Sequence, residues 1–325
     1  MMNTKYPQYL MRHQQTLETS SFLSGIGLHS GNPASIAIHP APVNTGVVFV
    51  KHVADQIQSC PASIAFLGQT DHCTTLQGGD FDIQTVEHVL SALAGLEIDN
   101  AYVELLGSEI PAADGSAAPF VDMVHQSGVL IQEEPRKYIK IVQPITVEDG
   151  HRSISVLPSA LPQITYFIDF PHPLIQQQEY HHFCTPHDYG KNIAGARTFA
   201  FRKEVEFLWS RGLGLGGSLH NTVVFADTGL VNDDDLRFSD ECVRHKVLDL
   251  IGDLSLLGIP VIGHFIAKCA GHALHTQLVQ AIMHNPDKWI VLNAGESGKD
   301  GILNGKSSSN STIHLPELQP AFHAF

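Results

Sequence analysis

The sequence predicts an α+β protein built from two halves of similar β-sheet-plus-helices topology. Short segments of β-branched residues, punctuated by Pro and Gly, precede a helix-like segment in the first half of the 325 residues. The same succession of strands and then helices recurs in the second half. A polar break with Pro135, from Gln132 to Arg136, separates the two. Strands followed by helices, rather than strict alternation, favour two α+β layers over a doubly wound sheet. The expected division is 1–134 for a first domain, with residues 1–14 a polar extension, and 135–298 for a second. Residues 299–325, rich in Gly, Ser, Asn and Lys, are expected to form a flexible tail.

In the first half, strands are expected at Ala34–Ile38, Gly46–Val50 and Ala101–Leu106. Thr85 to Leu93 reads as a helix, because Val86, Val89, Leu90 and Leu93 recur at helical spacing and Gly95 follows as a stop. In the second half, strands are expected at Tyr138–Ile145, Ser153–Leu157 and Gln163–Phe170, followed by a stretch rich in Pro and His. A helix from Lys203 to Arg211 ends at Gly212. The strongest helix opens at Ser239, expected as its N-cap, with Asp240 and Glu241 favouring the helix dipole. It carries Val243, Val247, Leu248, Ile251 and Leu254 and stops at Gly258. A last helix covers Ala273 to Met283.

Composition limits the partners. The chain is 43% hydrophobic and 16% charged, enough for a buried core, and its formal net charge of −14 argues against a nucleic-acid partner. Nine of its Lys and Arg residues fall between Lys191 and Lys268, which suits a local basic pocket for a small anionic substrate or a set of solvated helix faces. The five cysteines form no C-x-x-C, so neither a disulfide framework nor a cysteine-rich metal knuckle is indicated, and free thiols fit the cytoplasm. Met1 to Gln15 contains no apolar core of a secretory signal. No run approaches the ~18 apolar residues of a membrane span, so membrane contact is expected to be peripheral at most.

Several residues carry chemistry. His245 and Asp249 lie four apart on one helix face, the spacing by which a helix gives two ligands to one metal, and equally that of a stabilising surface pair. Glu87-His88 sits in the first-half helix, where one neighbour can bind a metal while the other reaches a water; a half-exposed helix edge is the plainer reading. Two His and one Asp with an open fourth position form the ligand set of a catalytic zinc. His272 opens the last helix, where a cationic imidazole would need a carboxylate, and Asp253 lies one turn beyond Asp249. His181, His182, Cys184 and His187 form a denser but irregular cluster that could hold an adventitious metal, and His72-Cys73 is a weaker pair. There is no P-loop, no G-x-G-x-x-G after a strand and no G-x-S-x-G, and Gly212 to Gly217 reads as a turn.

These pieces occur as longer phrases in a fixed order: Gly25-Ile26-Gly27-Leu28-His29-Ser30-Gly31, then Thr85-Val86-Glu87-His88 with Ser91-Ala92-Leu93. Glu109-Ile110-Pro111, Asp114-Gly115-Ser116 and Ala196-Arg197-Thr198-Phe199 follow, and then Arg244-His245-Lys246 through Asp253 and Gly271-His272-Ala273. From about Gln15 to Ala294 the chain resembles the bacterial UDP-3-O-acyl-N-acetylglucosamine deacetylases of lipid A biosynthesis. The resemblance implies two α+β domains packed face to face with one zinc ion at their junction, ferrous iron being the alternative occupant in the cell. It implies His88, His245 and Asp249 as ligands and Glu87 as general base on the attacking water. His272, oriented by Asp253, would stabilise the oxyanion and protonate the leaving amine, and Thr198 would add a hydrogen bond to that oxyanion.

A segment from Phe199 to Val224 resembles the family's acyl-passage insert, with Phe199, Val205 and Val224 as candidate linings. Lys246 and Arg152 would meet the UDP phosphates, although Arg152 stands where a Lys is expected. Ala200 likewise replaces an expected Gly. The substrate implied is a UDP-linked acyl-glucosamine, and one chain suffices for the site, so a monomer is expected. A binding protein that has lost catalysis has no use for Glu87 and His272. A different zinc amidohydrolase, such as a peptidase, has none for the basic residues and acyl passage.

Overall fold

The computed structural model describes residues 12–53 and 56–294. Most of the polar extension and the whole expected tail lie outside that range. Ten strands build two five-stranded sheets. The first sheet contains β1 (Ser21–Ile26), β2 (Pro33–Pro40), β3 (Val47–Val53), β4 (Gln56–Pro61) and β5 (Ala101–Leu106). The second contains β6 (Ile145–Asp149), β7 (Arg152–Leu157), β8 (Gln163–Phe170), β9 (Gln176–Phe183) and β10 (His264–Lys268). Their orders are β1-β2-β5-β3-β4 and β6-β7-β10-β8-β9. In each sheet only the pairing of the last strand with the third is parallel, β5 with β3 and β10 with β8. The two halves therefore repeat one topology, and the fold is α+β. The sheet-central β5 is buried along nearly its whole length, as a strand covered on both faces must be.

Among the described residues, six α-helices accompany the sheets: α1 (Glu87–Gly95), α2 (Ala118–Ser127), α3 (Pro186–Asn192), α4 (Arg202–Ser210), α5 (Glu241–Leu254) and α6 (His272–His284). α1, from the first half, packs along α5, from the second, and α5 packs on α6. One continuous core holds residues of both sheets together with Val89, Leu93, Val247, Leu248, Leu274 and Leu278. The approach of α1 and α5 depends on Gly252. A Cβ there would overlap the Glu87 carbonyl oxygen and lie 2.9 Å from the Glu87 Cα. Gly252→Ala is therefore expected to push the helices apart and lower stability by roughly 1–3 kcal/mol. Thermal unfolding of the variant measures this, and an unchanged Tm would show that the contact yields freely.

Several boundaries differ from the sequence expectation, each for a local reason. α1 starts at Glu87 rather than Thr85, because Thr85 is held in the left-handed region at φ 60. That strained backbone is over-determined: the Thr85 hydroxyl donates to Glu109 Oε1 at 3.0 Å, and Val86 N–H donates to the Thr74 carbonyl at 3.2 Å. α5 has Asp240, not Ser239, at its N-cap, and the Asp240 carboxylate takes the Arg244 guanidinium at 2.6 Å instead of capping. The single strand expected over Tyr138–Ile145 is two, Lys137–Ile141 and β6, broken where Pro144 cannot donate to a ladder. Within the stretch expected to be rich in Pro and His lies a strand, β9, on the sheet edge, where polar residues are tolerated because one side of the ladder faces solvent.

The segment expected as an insert forms a compact unit. Strand Phe199–Phe201 runs parallel to strand Val223–Phe225, with α4 between them. The Phe199 ring lies 5.5 Å from Phe170 and 6.2 Å from Phe225, which fixes the unit against β8. α4 itself has no fully buried residue and leaves Phe207 and Trp209 more than half exposed.

Candidate active site

The α1–α5 contact brings His88, His245 and Asp249 together, with one donor atom of each within 4.8 Å of the others. All three are buried. Asp249 Oδ1 lies 3.4 Å from His245 Nε2 and 3.7 Å from His88 Nε2. Ligands at 2.0–2.1 Å around a tetrahedral ion stand about 3.4 Å apart, so these spacings match a divalent-metal donor set. His245 Nδ1 donates to the Ala196 carbonyl at 3.0 Å, which leaves the Nε2 lone pair facing the cluster. Burial drives the His245 imidazole down to about 3, so it stays neutral and ligand-competent, despite the opposing charge of Asp249. Burial would raise the Asp249 carboxyl, but His245 and Lys246 pull it well below the usual range. Two imidazoles and one carboxylate form a donor set suited to a divalent metal.

Around this triad stand three further groups. Glu87 Oε2 accepts the Thr74 N–H at 3.0 Å, and Glu87 Oε1 lies 3.7 Å from His272 Nε2. Burial pushes the Glu87 carboxyl up, partly offset by the charges of His272 and His88. His272 is the first residue of α6, and its Nδ1 donates to Asp253 Oδ2 at 2.8 Å. Burial disfavours the His272 cation, as does the helix N-terminus, yet the charges of Asp253 and Glu87 outweigh this and raise the imidazole to about 9. Lys246 Nζ donates to Asp249 Oδ2 at 2.8 Å and lies 5.6 Å from the centre of the Phe199 ring. Burial alone would lower it, but the Asp249 charge and hydrogen bond keep the ammonium above its usual range.

Thr198 is half-buried two residues beyond Ala196, with its N–H on the Gly115 carbonyl at 2.8 Å. The Phe199 ring lies 6.4 Å from that of His245, so Phe199 borders the cluster. Val205 on α4 and Val224 on the neighbouring strand belong to the same unit and are half-buried. Arg152 is not brought to this cluster by any contact. It pairs with Asp149 across the tip of the exposed β6–β7 hairpin, where only two residues separate the strands.

The histidine cluster at 181–187 does not converge. Successive strand residues point to opposite faces: His181 bonds the Thr165 hydroxyl at 2.8 Å and His182 bonds Asp188 at 2.7 Å. Among the described residues the other group able to hold a metal is Asp253, His272 and His275. There both imidazole Nδ1 atoms are already committed to Asp253 Oδ2. Cys73, near Glu87, is a poor nucleophile, since burial pushes its thiol up to about 12.

Several supporting residues have no role that the sequence alone assigns. Thr74 spans Glu87 and Asp253, its hydroxyl donating to Asp253 Oδ1 at 2.6 Å. The Glu109 carboxylate accepts the backbone N–H groups of His29 and Ser30 at 2.7 and 2.8 Å, besides the Thr85 hydroxyl, and so ties the glycine-rich phrase to the start of α1. Arg197 donates to Glu241 Oε1 at 2.9 Å and Asp234 Oδ2 at 2.9 Å, which anchors Ala196 over His245. Glu109 and Arg197 stand in phrases recognisable in the sequence; Thr74 has no such signal.

Residues 14–284 match the family of UDP-3-O-acyl N-acetylglycosamine deacetylases. The chain is 43% identical over 284 residues to a UDP-3-O-acyl-N-acetylglucosamine deacetylase of Pseudomonas entomophila, covering 87% of this chain and 94% of that protein. It is 42% identical over 293 residues to the corresponding deacetylase of Syntrophotalea carbinolica, covering 90% and 95%. A third relative, from Syntrophus aciditrophicus, is 41% identical over 281 residues, covering 86% and 89%.

Proposed function

The chain belongs to the family of UDP-3-O-acyl-N-acetylglucosamine deacetylases, and from that premise we propose how its buried cluster performs the reaction. The protein is a deacetylase that hydrolyses the N-acetyl group of UDP-3-O-acyl-N-acetylglucosamine in lipid A biosynthesis, giving the free amine and acetate. The observation that carries the mechanism is the convergence of His88, His245 and Asp249 beside Glu87 and His272. The triad would hold zinc, with ferrous iron as an alternative, and such an ion would supply Lewis acidity towards the acetamide carbonyl and lower the pKa of a water near neutral pH.

The remaining steps fall to the chain itself. Glu87 Oε1, the oxygen not tied to Thr74, takes a proton from the attacking water. The His272 Nε2–H faces the same space and stabilises the developing oxyanion, joined by the Thr198 hydroxyl. As the C–N bond breaks, that Nε2–H is delivered to the leaving amine, and Asp253 holds the imidazole upright throughout. Lys246 keeps its charge beside Asp249 and offers a cation to the sugar nucleotide. Phe199, Val205 and Val224 lie on the unit that would line the acyl chain, which we take to be a 3-hydroxyacyl group.

We read residues 1–134 and 135–298 as two domains, a division supported by the repeated strand order. No described helix is long and apolar enough to cross a membrane. We place the enzyme in the cytoplasm as a monomer with at most peripheral membrane contact and no nucleic-acid partner. Asp249→Asn and His245→Ala are the tests of the ligand set. Each should leave purified protein with far less than one bound metal per chain after dialysis and remove acetate release with it. Stoichiometric metal retained by both variants would take the triad out of this role.

A further inference from the structure

Behind His272 the hydrogen-bond chain runs two residues deeper. Asp253 is fully buried, and its carboxylate has three donors. Thr74 Oγ1 donates to Oδ1 at 2.6 Å, whereas the Nδ1 atoms of His272 and His275 both reach Oδ2 at 2.8 Å. His272 and His275 are three apart on α6, so their rings lie on one face with centroids 6.0 Å apart. The far side of His275 is closed as well: its Nε2 meets the Tyr166 hydroxyl of β8 at 2.9 Å. Tyr166 and His275 are both fully enclosed.

We propose that His275 and Tyr166 are positioning residues that set the Asp253 carboxylate for His272; the proposal rests on the deacetylase reading. The phenol has one proton, and its nearest acceptor is His275 Nε2. Donation from Tyr166 specifies the neutral tautomer of His275 with its proton on Nδ1, the form able to donate to Asp253. The groups facing His275 are then Tyr166 from β8, Asp253 and Asp249 from α5, and His272 on its own helix. Only His272 also faces Glu87, at 3.7 Å, so the proton that serves the reaction belongs on His272 while His275 stays a neutral donor. Without His275, Oδ2 loses one of its two donors, and the Asp253 carboxylate has no exposed surface on which to replace it. The carboxylate is then free to turn about its Thr74 bond and carry the His272 ring with it. His272 acts in the transition state, so such a tilt costs turnover rather than substrate binding.

The test uses the full-length, metal-loaded enzyme. His275→Leu should lower kcat roughly 10-fold or more, with KM within about twofold of wild type and unchanged metal content. His275→Asn, whose amide N–H can stand where Nδ1–H stands, should restore most of kcat. A second measurement needs no turnover: 15N signals of His275 in the wild-type protein should show the neutral Nδ1–H tautomer from about pH 6 to 8, and Tyr166→Phe should abolish that single form. Wild-type kcat in a folded His275→Leu variant, failure of His275→Asn to restore kcat in a folded protein, or a proton on Nε2 would each overturn the proposal. Should wild-type enzyme release no acetate, the deacetylase reading falls, and the 15N tautomer still decides whether the positioning chain exists.

Discussion

Glu87→Gln is expected to reduce kcat by about 10²–10⁴-fold while bound metal stays near one per chain. Glu87 is adjacent to a metal ligand in sequence, but its side chain points elsewhere: Oε2 is taken by the Thr74 N–H and Oε1 faces His272. The amide keeps the shape and can accept the same backbone hydrogen bond, so the fold and the α1–α5 contact should persist. What it cannot do is accept a proton. The expected result is therefore a drop in kcat with KM, Tm and metal stoichiometry close to wild type. Turnover within a few-fold of wild type would remove Glu87 from proton transfer and leave Asp253 and Asp249, both already engaged by donors, as poor substitutes.

His272→Gln carries the second large effect, a loss of about 10²-fold or more in kcat, together with loss of the alkaline limb of the pH profile. The sign follows from the direction of the shift. The folded-state imidazole is raised to about 9, above the ordinary value for histidine, by the carboxylates of Asp253 and Glu87 despite its burial. The stability this proton contributes is complete below about pH 6.5 and is lost as pH rises through about 9. The active, protonated form follows the same course, so activity should fall on the alkaline side. A dication held by Asp249, whose Oδ2 lies 3.9 Å from His272 Nε2, would repel the imidazolium and move that limb to lower pH. Wild-type and variant pH profiles measured side by side decide the matter. An alkaline limb that persists unchanged in the variant would assign it to another group.

The cluster was legible in sequence where local spacing mirrors geometry. His245 and Asp249 are four apart on a helix, and the structure places both against one point; Glu87 and His88 share a helix that faces them across Gly252. The pairing of His272 with Asp253 was legible because a cation at a helix start needs a counter-charge. What stayed hidden depends on contacts between distant segments. Thr74 looks like an ordinary loop residue, and only folding sets it between Glu87 and Asp253. Tyr166 lies on a strand that reads as plain core, and His275 on a helix where one more histidine among 20 stands out little. The strand β9 is hard to read because only His182 is buried and its exposed positions are Gln176, Gln177, Glu179, His181 and Phe183, with no apolar alternation. Thr85 was drawn into α1 because apolar periodicity cannot register a single left-handed residue.

The measurement that bears most directly on the central claim is acetate release from UDP-3-O-(3-hydroxyacyl)-N-acetylglucosamine by the purified protein, before and after chelation and zinc restoration. Activity should disappear with the chelator and return when about one equivalent of zinc is added, as expected for one three-ligand site per chain. A metal-loaded, folded protein that releases no acetate, or one that keeps full activity after its metal has been stripped, would contradict it.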